Sequence, residues 1–437
     1  MKKKRLNAIW LFIYGVAMIT LGALLSVKGK AFIIPAARVG GIFVFFNGVC
    51  RLIKQNVRKS KWGLISCAIG MLIGVFILLA PFISLALLTV FLSLYLLLNG
   101  AIKLIDFINS VKNGSRDFWG DFTAFLFYLV FAILMLIGAF KSTLWLSSVV
   151  GIYCVLFGIT ELKDFMRETL PDKAKNLFRR RFRFSIPLAI STFSPLRVLR
   201  EYSRKLDSRE IDIKSLIDEE KVFDDNKKAD IHVLIHVSLD GVGMVGHCDI
   251  AYKNKVMSYG NYDTLSGRLF GALGDGVMFL SDKKRYVDYS VENDNQMIFD
   301  FGLSLTDKQI KRVRRQMARI KKSVYRWRCP FEKDVYEGKN TTLSDYTDYC
   351  SRLWHGTKAK FYKFRKGKFK TYCVMSTNCV LLADSILSKA GTDIINTSGI
   401  ISPGAYYDYL QKEYRLNNGI VVSRDIYSKY NKNKSPL

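Results

Sequence analysis

Cys379 stands in the run Ser376-Thr377-Asn378-Cys379-Val380-Leu381-Leu382-Ala383-Asp384, and Gly246-His247 lies far upstream. The first run predicts the start of an amphipathic helix, closed by Gly391 where a C-terminal cap wants a glycine. The second predicts a strand. A thiol at a helix N-terminus, with a histidine brought to it by the fold, is the minimal equipment for thiolate catalysis. The positive end of the helix dipole favours thiolate over thiol, and the neighbouring backbone N–H groups suit the oxyanion of an attacked carbonyl. His247 would take the thiol proton and later hand it to the leaving group. A third polar side chain must hold the imidazole, and the hairpin that His247 belongs to supplies Ser258, Asn261 and Tyr262, its turn holding two or three residues. The register of that turn decides among them; Asn261 is preferred, because an amide orients the ring without adding charge. His232, His236 and His355 are rival imidazoles should the strand register differ.

The elements that must position these residues are also legible. His232-Val233-Leu234-Ile235-His236-Val237 alternates as a strand does, and Gly246–Tyr252 with Val256–Gly260 flank a short turn at Lys253-Asn254, predicting a hairpin. Ser304-Leu305-Thr306-Asp307 predicts a helix start, followed by Ile310, Val313, Met317, Ile320 and Val324 at helical spacing. Its other face carries Lys308, Lys311, Arg312, Arg314, Arg315, Arg319, Lys321 and Lys322. Phe361–Lys370 predicts a further hairpin with a second basic patch.

Half of the residues are hydrophobic, yet the formal net charge is +29. The two properties are segregated, which predicts a membrane domain over residues 1–165, a connector over 166–228 and a soluble domain over 229–437. Six apolar segments have about the 20 residues that a membrane helix needs: Ile9–Val27, Ala36–Ile53, Leu64–Pro81, Leu85–Ile105, Phe122–Phe140 and Leu144–Leu162. The first is too long, and too poor in a small-residue cleavage site, for a signal peptide. The segments pair into hairpins with recurring ends: Phe46-Asn47-Gly48-Val49-Cys50-Arg51-Leu52-Ile53 resembles Leu98-Asn99-Gly100-Ala101-Ile102-Lys103-Leu104-Ile105, and Leu156–Leu162 is a weaker third copy. Recurring small residues also serve any packed membrane bundle.

Lysine and arginine gather before the first segment and after the second and fourth, so a multi-pass protein of the cell membrane with both termini cytoplasmic is expected. Arg179-Arg180-Arg181-Phe182-Arg183, past the sixth segment, agrees. The apolar stretch Phe184–Phe193 of the connector is too short to span. It suits either the headgroup region or an ordinary linker packed on the soluble domain. The eight cysteines show no regular disulfide framework.

The paired hairpins resemble the HdeD-like family of six-helix membrane proteins over roughly residues 7–165. Residues 230–415 resemble the circularly permuted branch of the papain-like NlpC superfamily. The resemblance rests on Gly-His on a hairpin, a Leu-Thr-Asp-Lys-Gln helix, Asn-Cys opening another helix and Ser402-Pro403-Gly404-Ala405-Tyr406-Tyr407 opening a last one. It is nearest to the group that includes the Lnb N-terminal periplasmic domain, and more distant from lecithin:retinol acyltransferase-like enzymes. It implies an α+β permuted papain-like soluble domain with an antiparallel sheet, Cys379 as nucleophile and His247 as base. The third residue does not carry over, and a cytoplasmic side departs from the cell-wall peptides that many relatives cleave.

No cofactor is expected. Cys248 beside His247, and Cys373 six residues before Cys379, lack zinc-site spacing. Gly271–Gly276 lies in no strand-turn-helix frame for a phosphate loop. The basic faces lack any nucleic-acid recognition motif, so anionic lipid is the expected partner and nucleic acid is not. Ionisable residues are absent from the apolar segments except near their ends, which argues against an ion path. The expected activity is that of a membrane-anchored thiol hydrolase or acyltransferase acting on an amide, ester or thioester of a lipid or peptide through an acyl-cysteine. The alternative is a non-enzymatic membrane protein whose papain-like domain only binds or senses.

Overall fold

A computed structural model describes residues 2–53, 61–115, 118–141, 143–169, 228–237, 246–294, 296–388, 402–415 and 421–429. Most of the expected connector, with Phe184–Phe193 and the arginine run, and the expected cap Gly391 lie outside the described residues. The chain divides into two compact units: one of residues 1–103, 123–178 and 183–185, the other of 104–122, 179–182 and 186–437.

The N-terminal region is helical: α1 (Lys2–Val27), α2 (Gly29–Ile53), α3 (Lys61–Leu79), α4 (Pro81–Lys112), α5 (Phe118–Lys141) and α6 (Thr143–Thr169). Among the described residues three helical stretches are long and apolar enough to cross a membrane, Ala31–Ile53, Pro81–Lys112 and Phe118–Ile137; Phe12–Val27 and Gly63–Leu79 are shorter apolar helices. Phenylalanine, leucine and isoleucine side chains remain exposed along these helices, as surfaces facing lipid do. The recurring glycines have a packing reason. A Cβ on Gly158 of α6 would lie 2.6 Å from the Gly15 carbonyl oxygen of α1, and one on Gly48 of α2 would lie 2.8 Å from the Met71 side chain of α3. Without a hydrophobic drive between helices in lipid, such close backbone approach is what holds them.

The second unit is α+β. Its main sheet has eight strands in the order β10-β6-β1-β2-β3-β5-β8-β7: β1 (Ile231–Val237), β2 (His247–Tyr252), β3 (Lys255–Gly260), β5 (Val277–Asp282), β6 (Met297–Leu303), β7 (Val324–Arg326), β8 (Lys360–Phe364) and β10 (Val421–Tyr427). Every pairing is antiparallel. β4 (Leu273–Asp275) and β9 (Thr371–Cys373) form a small second sheet. The later helices are α7 (Lys283–Glu292), α8 (Asp307–Lys322), α9 (Pro330–Tyr336), α10 (Tyr349–Thr357), α11 (Cys379–Leu387) and α12 (Pro403–Arg415).

Helices cover both faces of the main sheet, which is why β6 is buried along its whole length. Val233 and Ile235 of β1 pack with Val313 of α8, Val380 of α11 and Leu410 of α12, whereas Leu234 joins Tyr286 of α7 and Leu353 of α10. The central polar residues fall on the second face. There Asp300 of β6 meets His232 Nδ1 at 2.8 Å and Lys283 Nζ at 2.6 Å. Burial opposes its charge, but His232 and then Lys283 hold its carboxyl below the usual range.

The predicted strands at 232–237, 246–252 and 256–260 match β1, β2 and β3, and the 253–254 turn joins the last two. Helix α8 opens with a full capping box between Thr306 and Gln309, the arrangement that satisfies two orphan N–H donors. The expected hairpin over Phe361–Lys370 does not form. β8 pairs instead with β5 and β7, and the chain returns through a short 3-10 turn to β9, which pairs with β4.

Candidate active site

Cys379 is the first residue of α11 and His247 the first of β2. α11 packs on β2 and β3, which brings the two residues together. Asn378 caps the helix by accepting from the Leu381 N–H at 3.2 Å, while its own amide donates to the Val374 carbonyl at 2.9 Å. Among the described hydrogen bonds none employs the N–H of Cys379 or Val380. Those two donors sit beside the thiol, where an oxyanion would need them. Ser376, in the loop before the cap, donates to Asp106, a residue of the same compact unit.

The His247 side chain keeps 24% of its exposure, whereas Cys379 is buried. The described polar contacts of the ring converge on Nε2: Ser258 Oγ at 2.8 Å, Asp249 Oδ1 at 2.9 Å and Tyr262 Oη at 3.1 Å. Burial disfavours the charged ring, but Asp249 and then Cys379, by charge and hydrogen bonding, raise the His247 pKa well above that of ordinary imidazole.

Asp249 is the residue that inspection of the sequence missed. It is buried and meets three groups: His247, His236 Nε2 at 3.0 Å and the Tyr286 hydroxyl, which donates at 2.8 Å. Burial works against its charge, yet His247 and His236 hold its carboxyl far below the usual carboxylate range. His236 is fixed in turn by Gln296 at 2.8 Å through Nδ1. The signal was present in the sequence: His247 and Asp249 are two apart on one strand, and such residues share a face.

Asn261 does not take the role expected of it. Its amide donates to the carbonyl oxygens of Gly271 and Leu273, at 3.1 and 3.4 Å, and so braces the loop before β4. Ser258 and Tyr262, the other two possibilities, do reach the ring and are 2.7 Å from each other. Of the rival imidazoles, His232 is paired with Asp300 and His355 lies against the Phe331 ring. Burial pushes the Cys248 and Cys350 thiols well above the ordinary range and Cys329 up to about 12. Such thiols are inert. Among the described residues no group of three or more histidine, cysteine or acidic side chains is arranged to hold a metal ion.

The comparisons with known proteins concern the helical region. Residues 13–79, 65–137 and 126–177 each match the family model described as a short repeat of unknown function (DUF308), the HdeD-like membrane family. The region is thus built of repeats, as its recurring hairpin ends lead one to expect, and its apolar helices mark a membrane protein. No curated protein and no solved structure matches the chain.

Proposed function

We propose that this chain is a membrane-tethered, thiol-dependent hydrolase or acyltransferase whose soluble domain is a permuted papain-like unit. The observation that carries the reading is the position of Cys379 at the head of α11, a helix packed on the strand that opens with His247, whose imidazole Asp249 meets at 2.9 Å. In the reaction, the Cys379 sulfur attacks the carbonyl carbon of an amide, ester or thioester, and the developing oxyanion is received by the N–H groups of Cys379 and Val380. His247 gives its proton to the leaving group as the carbonyl bond to it breaks, leaving an acyl-cysteine and a neutral imidazole. Water or a second acceptor then attacks the acyl carbon, His247 takes its proton, and the sulfur leaves as thiolate. The apolar helices and their repeat matches favour a substrate carrying an acyl lipid, with a peptide next. The loop charges favour a six-helix, multi-pass arrangement with cytoplasmic termini.

A nitrophenyl acyl ester tests the reading on the full chain in nanodiscs. A burst of nitrophenol and an acyl mass on the Cys379 peptide are expected, with the mass absent in Cys379→Ala and its formation slowed by on the order of 10²-fold in His247→Ala. Acylation that persists undiminished in both variants would sink it.

A further inference from the structure

The loop from the 3-10 turn Thr264–Ser266 to β4 presents apolar side chains to the outside. Leu265 is 90% exposed, Leu269 61%, and Phe270 more than an extended-chain reference allows. Leu269 and Phe270 both hold left-handed backbone, with φ of 49° and 55°, a conformation that bulky side chains ordinarily avoid. The loop is nevertheless well fixed: Arg268 N–H donates to the Leu273 carbonyl at 2.8 Å, Asp275 N–H to Ser266 Oγ at 2.9 Å and Val374 N–H to the Ala272 carbonyl at 3.0 Å. A rigid loop that bends its chain into a costly conformation to expose a phenylalanine and two leucines needs an apolar partner.

The neighbouring residues identify that partner. Exposed cations accompany the apolar tip: Arg268 lies within the loop, while Arg365, Lys366 and Lys370 belong to the segment leading into β9, the strand that pairs with β4. The same segment is tied to the turn after α4. Gly367 N–H donates to the Asn113 carbonyl at 2.8 Å, and the Asn113 amide donates to Thr371 Oγ1 at 2.9 Å. Residues 104–122 belong to the same compact unit as this loop. α4 is long and apolar enough to cross a membrane, and its 32 residues exceed the roughly 20 that a crossing requires. Its polar end, with Asp106, Ser110 and Asn113 buried, is the part in excess of that length. An exposed apolar tip with Arg268 in its own loop, joined through β4 and β9 to a basic segment that is hydrogen-bonded to the end of α4, has the chemistry of an interfacial anchor.

We propose that Leu265, Leu269 and Phe270 insert into the headgroup–acyl boundary of the membrane that holds the chain's own helices. The anchor stands independently of the acyl chemistry at Cys379.

Spin labels at Phe270→Cys and Leu265→Cys test it in the full chain, reconstituted in nanodiscs of mixed zwitterionic and anionic lipid. The signal of the unsubstituted chain, which has exposed Cys50, is subtracted, and Glu337→Cys serves as an aqueous reference. The expected result is that labels at 270 and 265 collide more with oxygen than with a water-soluble nickel chelate, while the label at 337 does the reverse. Labels at 270 and 265 as open to the chelate as that at 337 would overturn the proposal. So would dipolar broadening that disappears on dilution with unlabelled chain, since a second copy would then cover the loop.

Discussion

Asp249 Oδ1 lies 2.9 Å from His247 Nε2, two residues along the same strand. The carboxylate therefore needs no distant loop to reach the imidazole; the pleat of β2 delivers both to one face. His236 on β1, directly opposite His247 in the β1–β2 ladder, grips the other oxygen of Asp249 and shares its charge.

Replacing that anion shifts the proton donor. In Asp249→Asn the His247 pKa falls, because the charge that raises it is gone. Acylation needs the imidazolium, so the alkaline limb of the acylation rate moves to lower pH. The readout is the pH profile of nitrophenol release; an alkaline limb that stays in place contradicts the role.

Stability carries the same signature with a definite sign. A raised folded pKa for His247 contributes stability that is complete below the ordinary imidazole value of about 6.5 and is lost as pH rises through the raised value. The lowered pKa of Asp249 contributes stability complete above about 3.9 and lost as pH falls through the folded value. Amide exchange of β1 and β2 at a series of pH values should slow most between those limits. His247→Ala flattens the alkaline side of that curve.

The helix that carries the thiol depends on its cap. Asn378→Ala removes the acceptor of the Leu381 N–H and costs about 1 kcal/mol. Asn378→Ser, which keeps an acceptor, recovers most of it. Denaturant midpoints of the three proteins, compared at constant m-value, measure the difference.

Asn261→Ala separates bracing from chemistry. Its amide serves the carbonyls of Gly271 and Leu273 rather than the imidazole. Amide exchange of residues 265–275 should quicken while acylation of Cys379 changes by less than about threefold, a difference under about 1 kcal/mol in barrier height. A loss of acylation as large as that in His247→Ala would return Asn261 to the ring.

The positions of Cys379 at a helix start and His247 on a strand were legible because each carries a local signal, a cap residue before the thiol and an apolar strand around the histidine. Asp249 was hidden by its neighbours: Cys248, Ile250 and Ala251 make the strand look like ordinary core. The choice of Asn261 rested on amide chemistry alone, whereas the observed register hands the ring to Ser258 and Tyr262. β4 and β9 have three residues each, too short for a periodic pattern. The basic run 361–370 looked like a hairpin because strand pairing is decided by tertiary partners, here β5 and β7. In the helical region the recurring glycines were visible together with a packing role for them, which takes the form of close helix contact at Gly48 and Gly158.

β10 closes the sheet beside β6, and β6 in turn flanks β1. Until Val421–Tyr427 has been synthesised, β6 presents a bare edge of unpaired N–H and C=O groups. A growing chain thus contains both His247 and Cys379 well before the frame that holds the histidine strand is sealed. The sheet that carries His247 is thus completed by a strand made after Cys379, so the order of synthesis lays down the thiol before its frame is closed.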